Sequence, residues 1–370
     1  MKVAHLIEST GFYGAERVVI NLCTELQSAS SYQPLVLGIV KRSGASPKLL
    51  DVARDRGIDS SIAVVRNWLL PIDALLLCRK VVELKVDILH CHGYKAAILG
   101  RLVKRVCGVR CVTTCHLWYM GRTRPFRSRF LIAVEKWLHR SADVVVAVSQ
   151  KIKDSLVAVG VDADRVEVVP NGIPLTEYKK SSVGSNTYDR NHLRILNVGR
   201  LSEQKAQSAL IECARILRER GTVFEINIVG EGPFRPALEA QIAREGLGDS
   251  VNLLGFRDDV VDLLQQSDVF VLPSYDEGMP MALLEAAAVC LPIIATDVGD
   301  VGKVVVNDKS GQIIDAGNAE QLADAIAVIA SDWGKADQQA QVAHDRVRSF
   351  YSSQNMCVEY SRIYSLLKGQ

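Results

Sequence analysis

The stretch Val269-Phe270-Val271-Leu272-Pro273-Ser274-Tyr275-Asp276-Glu277-Gly278-Met279-Pro280-Met281-Ala282-Leu283-Leu284-Glu285-Ala286-Ala287-Ala288-Val289, followed by Pro292-Ile293-Ile294-Ala295-Thr296, decides the fold. Val269–Leu272 is a short, wholly apolar run, the pattern of a strand buried on both faces. Met281–Val289 consists mostly of strong helix formers and opens at Pro280, where a missing N–H costs nothing. Pro292–Thr296 then reads as a second strand, so the segment is one strand–helix–strand unit of a parallel sheet.

The same alternation extends both ways. Upstream, strands are expected at Leu193–Val198, Phe224–Val229 and Val251–Leu254, with helices at Gln207–Arg220, Phe234–Glu245 and Val260–Gln266. The first half repeats it, with apolar runs at Val3–Ile7, Pro34–Val40, Asp87–His90, Arg110–Thr114 and Asp143–Val148, and helices including Ala15–Ser28, Asp73–Leu84 and Phe126–Arg140. A polar break at Lys179–Asn191 reads as a linker. The expected architecture is α/β: two doubly wound, Rossmann-like domains facing a central cleft, with ligands at the carboxyl ends of the strands. The boundaries read as an N-terminal domain over 1–178, a linker over 179–192 and a C-terminal domain over 193–349. A final helix is read over Ser349–Leu367, and residues 350–370 are expected to pack back on the first domain.

With 370 residues, 48% hydrophobic and 23% charged, the composition is that of a soluble globular protein. No signal peptide or membrane-spanning run is read, so a cytoplasmic location is expected. Nine cysteines sit singly in apolar segments, as reduced thiols do. Cys107, Cys111, Cys115 and His116, with His90 and His92, lack the paired short spacings of structural zinc, and no metal is assigned. Residues 1–175 carry 25 Lys and Arg against 15 Asp and Glu, the remainder 19 against 27. Between Asp87 and Glu135 lie Lys95, Arg101, Lys104, Arg105, Arg110, Arg122, Arg124, Arg127 and Arg129 with no acidic residue. That basic half suits an anionic acceptor or peripheral contact with an anionic membrane at its inner face, or is simply a solvated helix surface. No nucleic acid partner is expected.

Chemistry-bearing residues gather at strand ends of the second half. Glu277 lies on the turn after Val269–Leu272, and Glu285 sits about one turn inside the next helix. Gly278 lets backbone approach a ligand, and the helix start offers free N–H groups to phosphate or sugar oxygens. Arg200 and Lys205 follow Leu193–Val198 and suit a leaving diphosphate, Arg as a fork and Lys as a point charge. Gly230-Glu231-Gly232 supplies a loop at the same edge.

These segments together resemble the family 4 retaining glycosyltransferases of the GT-B fold. The resemblance rests on Asn197-Val198-Gly199-Arg200-Leu201 with Gln204-Lys205, Val229-Gly230-Glu231-Gly232-Pro233, Leu254-Gly255-Phe256, and Glu277-Gly278-Met279-Pro280 with Leu284-Glu285-Ala286. Glu277 and Glu285 meet the family's pattern of two glutamates separated by seven residues. The resemblance implies a nucleotide diphosphate-sugar donor as co-substrate, UDP-sugar favoured, and retention of anomeric configuration without metal or other cofactor. It implies catalytic roles for Glu277, Arg200, Lys205 and His116. Glu277 would hold sugar hydroxyls, Arg200 and Lys205 the diphosphate, and Glu285 with Leu284 the ribose side. Gly278, Met279 and Pro280 would border the sugar, Phe256 and Arg257 the base, with Glu231 and Gly232 in the adjoining loop. As ligands of one substrate, Lys205 and Glu277 should each be replaceable without loss of fold. Where the family often has glycine after the lysine, this chain has Ala206, which argues against a positive φ there.

In the first half, Gly11-Phe12-Tyr13-Gly14-Ala15-Glu16 opens a helix after strand one and resembles the family's glycine loop, with Gly14 facing the donor. His90-Cys91-His92-Gly93 and Thr113-Thr114-Cys115-His116 end two further strands. His116 is expected as a polar contact near the transferred sugar, while His92 reads as a structural histidine. No carboxylate of this half stands out as a general base, which suits proton transfer to the departing phosphate. The expected acceptor is a glycan or lipid-linked hydroxyl in surface polysaccharide or glycolipid synthesis. The alternatives are a nucleotide-sugar epimerase or phosphorylase of the same fold and a non-catalytic nucleotide-sugar binder. A dehydrogenase is disfavoured because Gly-x-Gly-x-x-Gly is absent.

Overall fold

The computed structural model describes residues 1–9, 11–41, 47–65, 70–116, 142–178 and 192–369. The expected helix Phe126–Arg140, with Arg122, Arg124, Arg127 and Arg129, lies outside the described residues, as does nearly all of the linker. Two compact units result: Met1–Gly172 with Ser353–Gln370, and Ile173–Ser352.

The first unit runs β1 (Lys2–Glu8), α1 (Gly14–Ser28), β2 (Gln33–Lys41), α2 (Lys48–Asp55), β3 (Asp59–Val65), α3 (Leu70–Glu83), β4 (Ile88–His92), α4 (Tyr94–Cys107), β5 (Arg110–Cys115), β6 (Val144–Ala147), α5 (Gln150–Ala158) and β7 (Val166–Val168). The second runs β8 (Leu193–Val198), α6 (Gln207–Glu219), β9 (Phe224–Val229), α7 (Arg235–Arg244), β10 (Val251–Gly255), α8 (Val260–Gln266), β11 (Val269–Leu272), α9 (Met281–Ala288), β12 (Ile293–Thr296), β13 (Gln312–Ile314), α10 (Ala319–Ser331) and α11 (Trp333–Phe350). A last helix, α12 (Ser353–Lys368), belongs to the first unit.

Strand order in the first sheet is β3-β2-β1-β4-β5-β6-β7, and in the second β10-β9-β8-β11-β12-β13; the paired strands run parallel. Each order reverses once, between β1 and β4 and between β8 and β11. At such a switch point the loops leave to opposite sides, opening a crevice at the strands' carboxyl ends.

Period-two alternation decides what each face carries. On β1, Ala4 and Leu6 join the core under α3 and α4, whereas Ile7 joins the one under α1 and α2. On β4, Leu89 and Cys91 take the α3–α4 side. The intervening His5, His90 and His92 therefore share the opposite face. There Tyr360 and Tyr364 of α12 are among the largest fully buried side chains. Burial of two aromatic rings contributes several kcal/mol and anchors the helix to this sheet.

The helix expected from Ser349 is α12, which begins at Ser353; Ser349 and Phe350 instead end α11. Tyr351 and Ser352 separate the two helices because their backbone is engaged by Ile173: its N–H donates to Tyr351 O at 2.9 Å, and Ile173 bridges Ser352. Strands β3, β7 and β13 were not read from sequence. All three are edge strands, β3 is half-exposed and β7 and β13 are three residues long, so none shows the continuous apolar run of an interior strand.

Candidate functional site

In the second unit the loops leaving β8, β9 and β10 are laced together by main-chain bonds. Gly199 N donates to Val229 O (2.9 Å), Leu201 N to Glu231 O (3.0 Å), Phe234 N to Leu201 O (3.1 Å) and Gly230 N to Gly255 O (2.8 Å). Glycine is required at the closest approach: Gly230 has φ 139°, and a Cβ there would lie 1.9 Å from Gly199 O. Gln204 joins the loops after β8 and β11, its carbonyl accepting from Tyr275 N (2.8 Å) and its Nε2 donating to Asp276 O (2.7 Å).

Across this switch point Lys205 Nζ meets Glu277 Oε1 at 2.5 Å. Ser274 Oγ donates to the same oxygen at 2.7 Å, and Thr296 Oγ1 holds Ser274 O at 2.6 Å. The pair is largely out of water, with side-chain exposures of 19% for the lysine and 7% for the glutamate. The turn is backed by Gly299 and Asp300, the latter donating its N–H to Gly278 O at 3.0 Å. A Cβ on Gly299 would come within 2.2 Å of Glu277 O. Sequence reasoning missed Ser274, Tyr178, Thr296 and Gly299; a hydroxyl three residues before Glu277 was the available signal for the first.

This arrangement adds a stability role that the sequence does not show for Lys205 and Glu277. Each is the other's counter-charge, and a buried ion left alone is strongly destabilising. The expectation for Ala206 is overturned. It adopts φ 50°, ψ 33°, left-handed backbone between the short turn Glu203–Lys205 and α6. Alanine here holds the conformation usually left to glycine, at a strain of about 1 kcal/mol.

Glu285 is buried at 2% exposure and accepts from Tyr178 OH at 3.2 Å. Leu284, Gly278, Met279 and Pro280 are buried with it. Pro280 precedes the first residue of α9, whose initial N–H groups lack carbonyl partners within the helix. Arg200 is exposed, and among the described residues no carboxylate pairs with it. Glu231 and Gly232 lie half-buried in the laced loops, with Glu231 paired to Arg235 at 2.9 Å. Arg257 is exposed and forks onto Asp259, with Nε–Oδ1 at 2.7 Å. Phe256 beside it is 38% exposed, a flat apolar surface at the end of β10.

The first unit holds a cluster of four histidines. His5 Nδ1 lies 3.1 Å from His92 Nε2, and His92 Nδ1 lies 3.1 Å from His116 Nε2. His90 is held separately, by Tyr364 OH at 2.6 Å and Thr114 Oγ1 at 2.7 Å. Burial pushes His5 down to about 3 and His116 to about 4, and holds His90 and His92 well below the usual imidazole range, so all four are neutral near pH 7. Nitrogens of His5, His90 and His92 approach within 4.8 Å, close enough to suggest a metal ligand set. Both nitrogens of His90 and both of His92 are already engaged, however, so the cluster is a hydrogen-bonded one. Gly14 begins α1, where Glu16 Oε2 accepts the Tyr13 N–H at 3.1 Å, an extended N-cap that tolerates tyrosine in place of glycine. The basic run is partly neutralised, since Lys95 pairs with Glu8, and Lys104 and Arg110 with Asp143.

Two doubly wound parallel sheets, with a cation and carboxylates at the switch point of the second, define a two-domain glycosyltransferase of the GT-B type. Residues 12–177 match Glycosyltransferase Family 4 and residues 181–346 match Glycosyl transferases group 1. The chain belongs to family 4 of the glycosyltransferases. It is 30% identical over 266 residues to an Escherichia coli UDP-Gal:alpha-D-GlcNAc-diphosphoundecaprenol alpha-1,3-galactosyltransferase, covering 67% of each chain. A match to the amylovoran biosynthesis glycosyltransferase AmsK of Erwinia amylovora has 33% identity and covers 49% of this chain and 46% of that one. Among solved structures, Anabaena Alr3699/HepE in complex with UDP and glucose superposes with a TM-score of 0.85 over 99% of both chains at 21% identity.

Proposed function

We propose that this enzyme moves a sugar from a nucleotide diphosphate-sugar, a UDP-sugar by preference, to a hydroxyl of a glycan or lipid-linked acceptor, with retention and without a metal ion, in surface polysaccharide or glycolipid synthesis. The observation that carries the reading is the buried Lys205–Glu277 pair at the β8/β11 switch point. A diphosphate takes the lysine and the exposed Arg200, the sugar hydroxyls take Glu277, and the N–H groups opening α9 complete the anion site. Glu285 and Leu284 receive the ribose, and Phe256 borders the base. His116 is a polar contact of the substrate. The departing phosphate, held by Lys205 and Arg200, accepts the acceptor's proton on the face it leaves. The names of the Escherichia coli and Erwinia relatives support the acceptor class.

Peripheral contact with an anionic membrane has its own support. Ile72, Leu75, Leu76 and Val82 stand out of α3 at 40% to 62% exposure, at helical spacing, with exposed Arg79 among them. Among the described residues no helix is long and apolar enough to cross a membrane.

The test is heat unfolding with a panel of UDP-, GDP- and ADP-sugars, followed by NMR of the product's anomeric coupling. A binding donor at about a hundred times its Kd should stabilise by about 2.7 kcal/mol. No shift with any nucleotide-sugar, or an equal shift in Lys205→Ala, sinks the donor site; an inverted product sinks retention.

A further inference from the structure

His5 and His92 have no part in that reading, yet they form an unbroken line of hydrogen bonds ending on His116. Each neutral imidazole has one N–H, so the line must run one way. Run outwards, His5 Nδ1–H donates to His92 Nε2, and His92 Nδ1–H donates to His116 Nε2. Run inwards, the proton of the last ring sits on His5 Nε2. That nitrogen is fully buried and has no hydrogen-bond partner. An orphaned buried N–H is rarer than an under-satisfied acceptor, so the outward direction is the stable one.

We propose that His5 and His92 are positioning residues that fix His116 in the tautomer with its proton on Nδ1, so that it meets the substrate as a neutral hydrogen-bond donor. The consequence for catalysis rests on His116 contacting the substrate; the tautomer assignment does not. Burial keeps the donor neutral rather than cationic near pH 7. His90 stays outside the line because Tyr364 and Thr114 occupy both of its nitrogens, which fixes it to α12. Orientation by a neighbouring ring of this kind commonly sets which nitrogen of a functional histidine carries the proton.

The experiment is long-range nitrogen–proton correlation NMR of the full chain labelled with nitrogen-15 histidine, comparing wild type with His92→Leu and His92→Asn. In the wild type His116 should show Nδ1 protonated and Nε2 bare. His92→Leu should return His116 to the Nε2-protonated form and lower kcat about tenfold, the worth of one lost orienting hydrogen bond. His92→Asn, whose amide can still donate at the Nδ1 position, should restore the wild-type tautomer and most of the rate. A wild-type His116 protonated on Nε2, or a tautomer unmoved by His92→Leu, overturns the proposal. Normal transfer by His116→Ala would instead remove the substrate role of His116, a result that leaves the tautomer spectra to stand or fall alone.

Discussion

Replacing Lys205 and Glu277 singly and together should show that they stabilise the fold as a unit. Lys205→Met leaves the Glu277 carboxylate 7% exposed, with Ser274 Oγ still donating to it. A buried charge stripped of its partner costs about 3–5 kcal/mol. Glu277→Gln should cost less, about 1–2 kcal/mol, because the lysine, 19% exposed, can turn its ammonium to water and the new amide would keep the Ser274 bond. Lys205→Met with Glu277→Gln leaves no stranded ion, so the double variant should be about as stable as Glu277→Gln alone, giving a coupling equal in size to the Lys205→Met cost, about 3–5 kcal/mol. Urea unfolding measures this, followed through Trp333, 9% exposed and the one tryptophan of residues 173–352, with Trp68, Trp118 and Trp137 replaced by Phe. All three variants should lose transfer activity by about a hundredfold or more. Costs that add to within about 0.5 kcal/mol, or a Glu277→Gln variant less stable than Lys205→Met, would refute the buried pair.

Ala206→Gly should raise the stability of the second unit by about 1 kcal/mol by relieving the φ of 50°, and Ala206→Val should lower it; urea midpoints decide, and no gain from glycine would mean the strain is absent. Gly230→Ala should cost more than about 4 kcal/mol, since its Cβ would sit 1.9 Å from Gly199 O at a φ of 139°; soluble yield and melting report it, and a wild-type melt contradicts the close approach. Stability should be full above about pH 6.5 and fall as pH drops towards the depressed folded values. The unfolded chain protonates His5 below 6.5, whereas the folded one holds out to about 3, so His5 alone should account for about 2 kcal/mol at about pH 5. Urea midpoints that stay level from about pH 7.5 to about pH 5 would speak against neutral buried histidines. Leu75→Asp with Leu76→Asp should abolish sedimentation with phosphatidylglycerol vesicles while leaving soluble-donor binding unchanged; undiminished sedimentation would remove α3 as the membrane face.

Every interior strand was legible in the sequence, because burial on both faces gives an unbroken apolar run; of the edge strands only β10 was read. β3, β7 and β13 escaped because an edge strand does not need that pattern. The strand-end loops were legible for a similar reason: glycine at 230 and 232 and proline at 280 leave few backbone options. What stayed hidden depends on residues far apart in the chain. Lys205 and Glu277 are 72 positions apart, and nothing local says that the cation rests on the carboxylate rather than awaiting a ligand. His5 was passed over because a lone histidine in an apolar strand carries no motif. The signal lay in register: His5 pairs across from His90 on the neighbouring parallel strand, so positions 5, 90 and 92 had to share a face.

The occupied state of the lysine bears on how the site selects its ligand. A free diphosphate that captures Lys205 leaves Glu277 buried beside a second anion, which offsets much of the attraction. A nucleotide-sugar captures the lysine and supplies hydroxyls to the abandoned carboxylate in the same event, so the exchange leaves no ion unpaired. On the roles proposed for Lys205 and Glu277, the pair would favour donor that still bears its sugar over the nucleotide left after transfer.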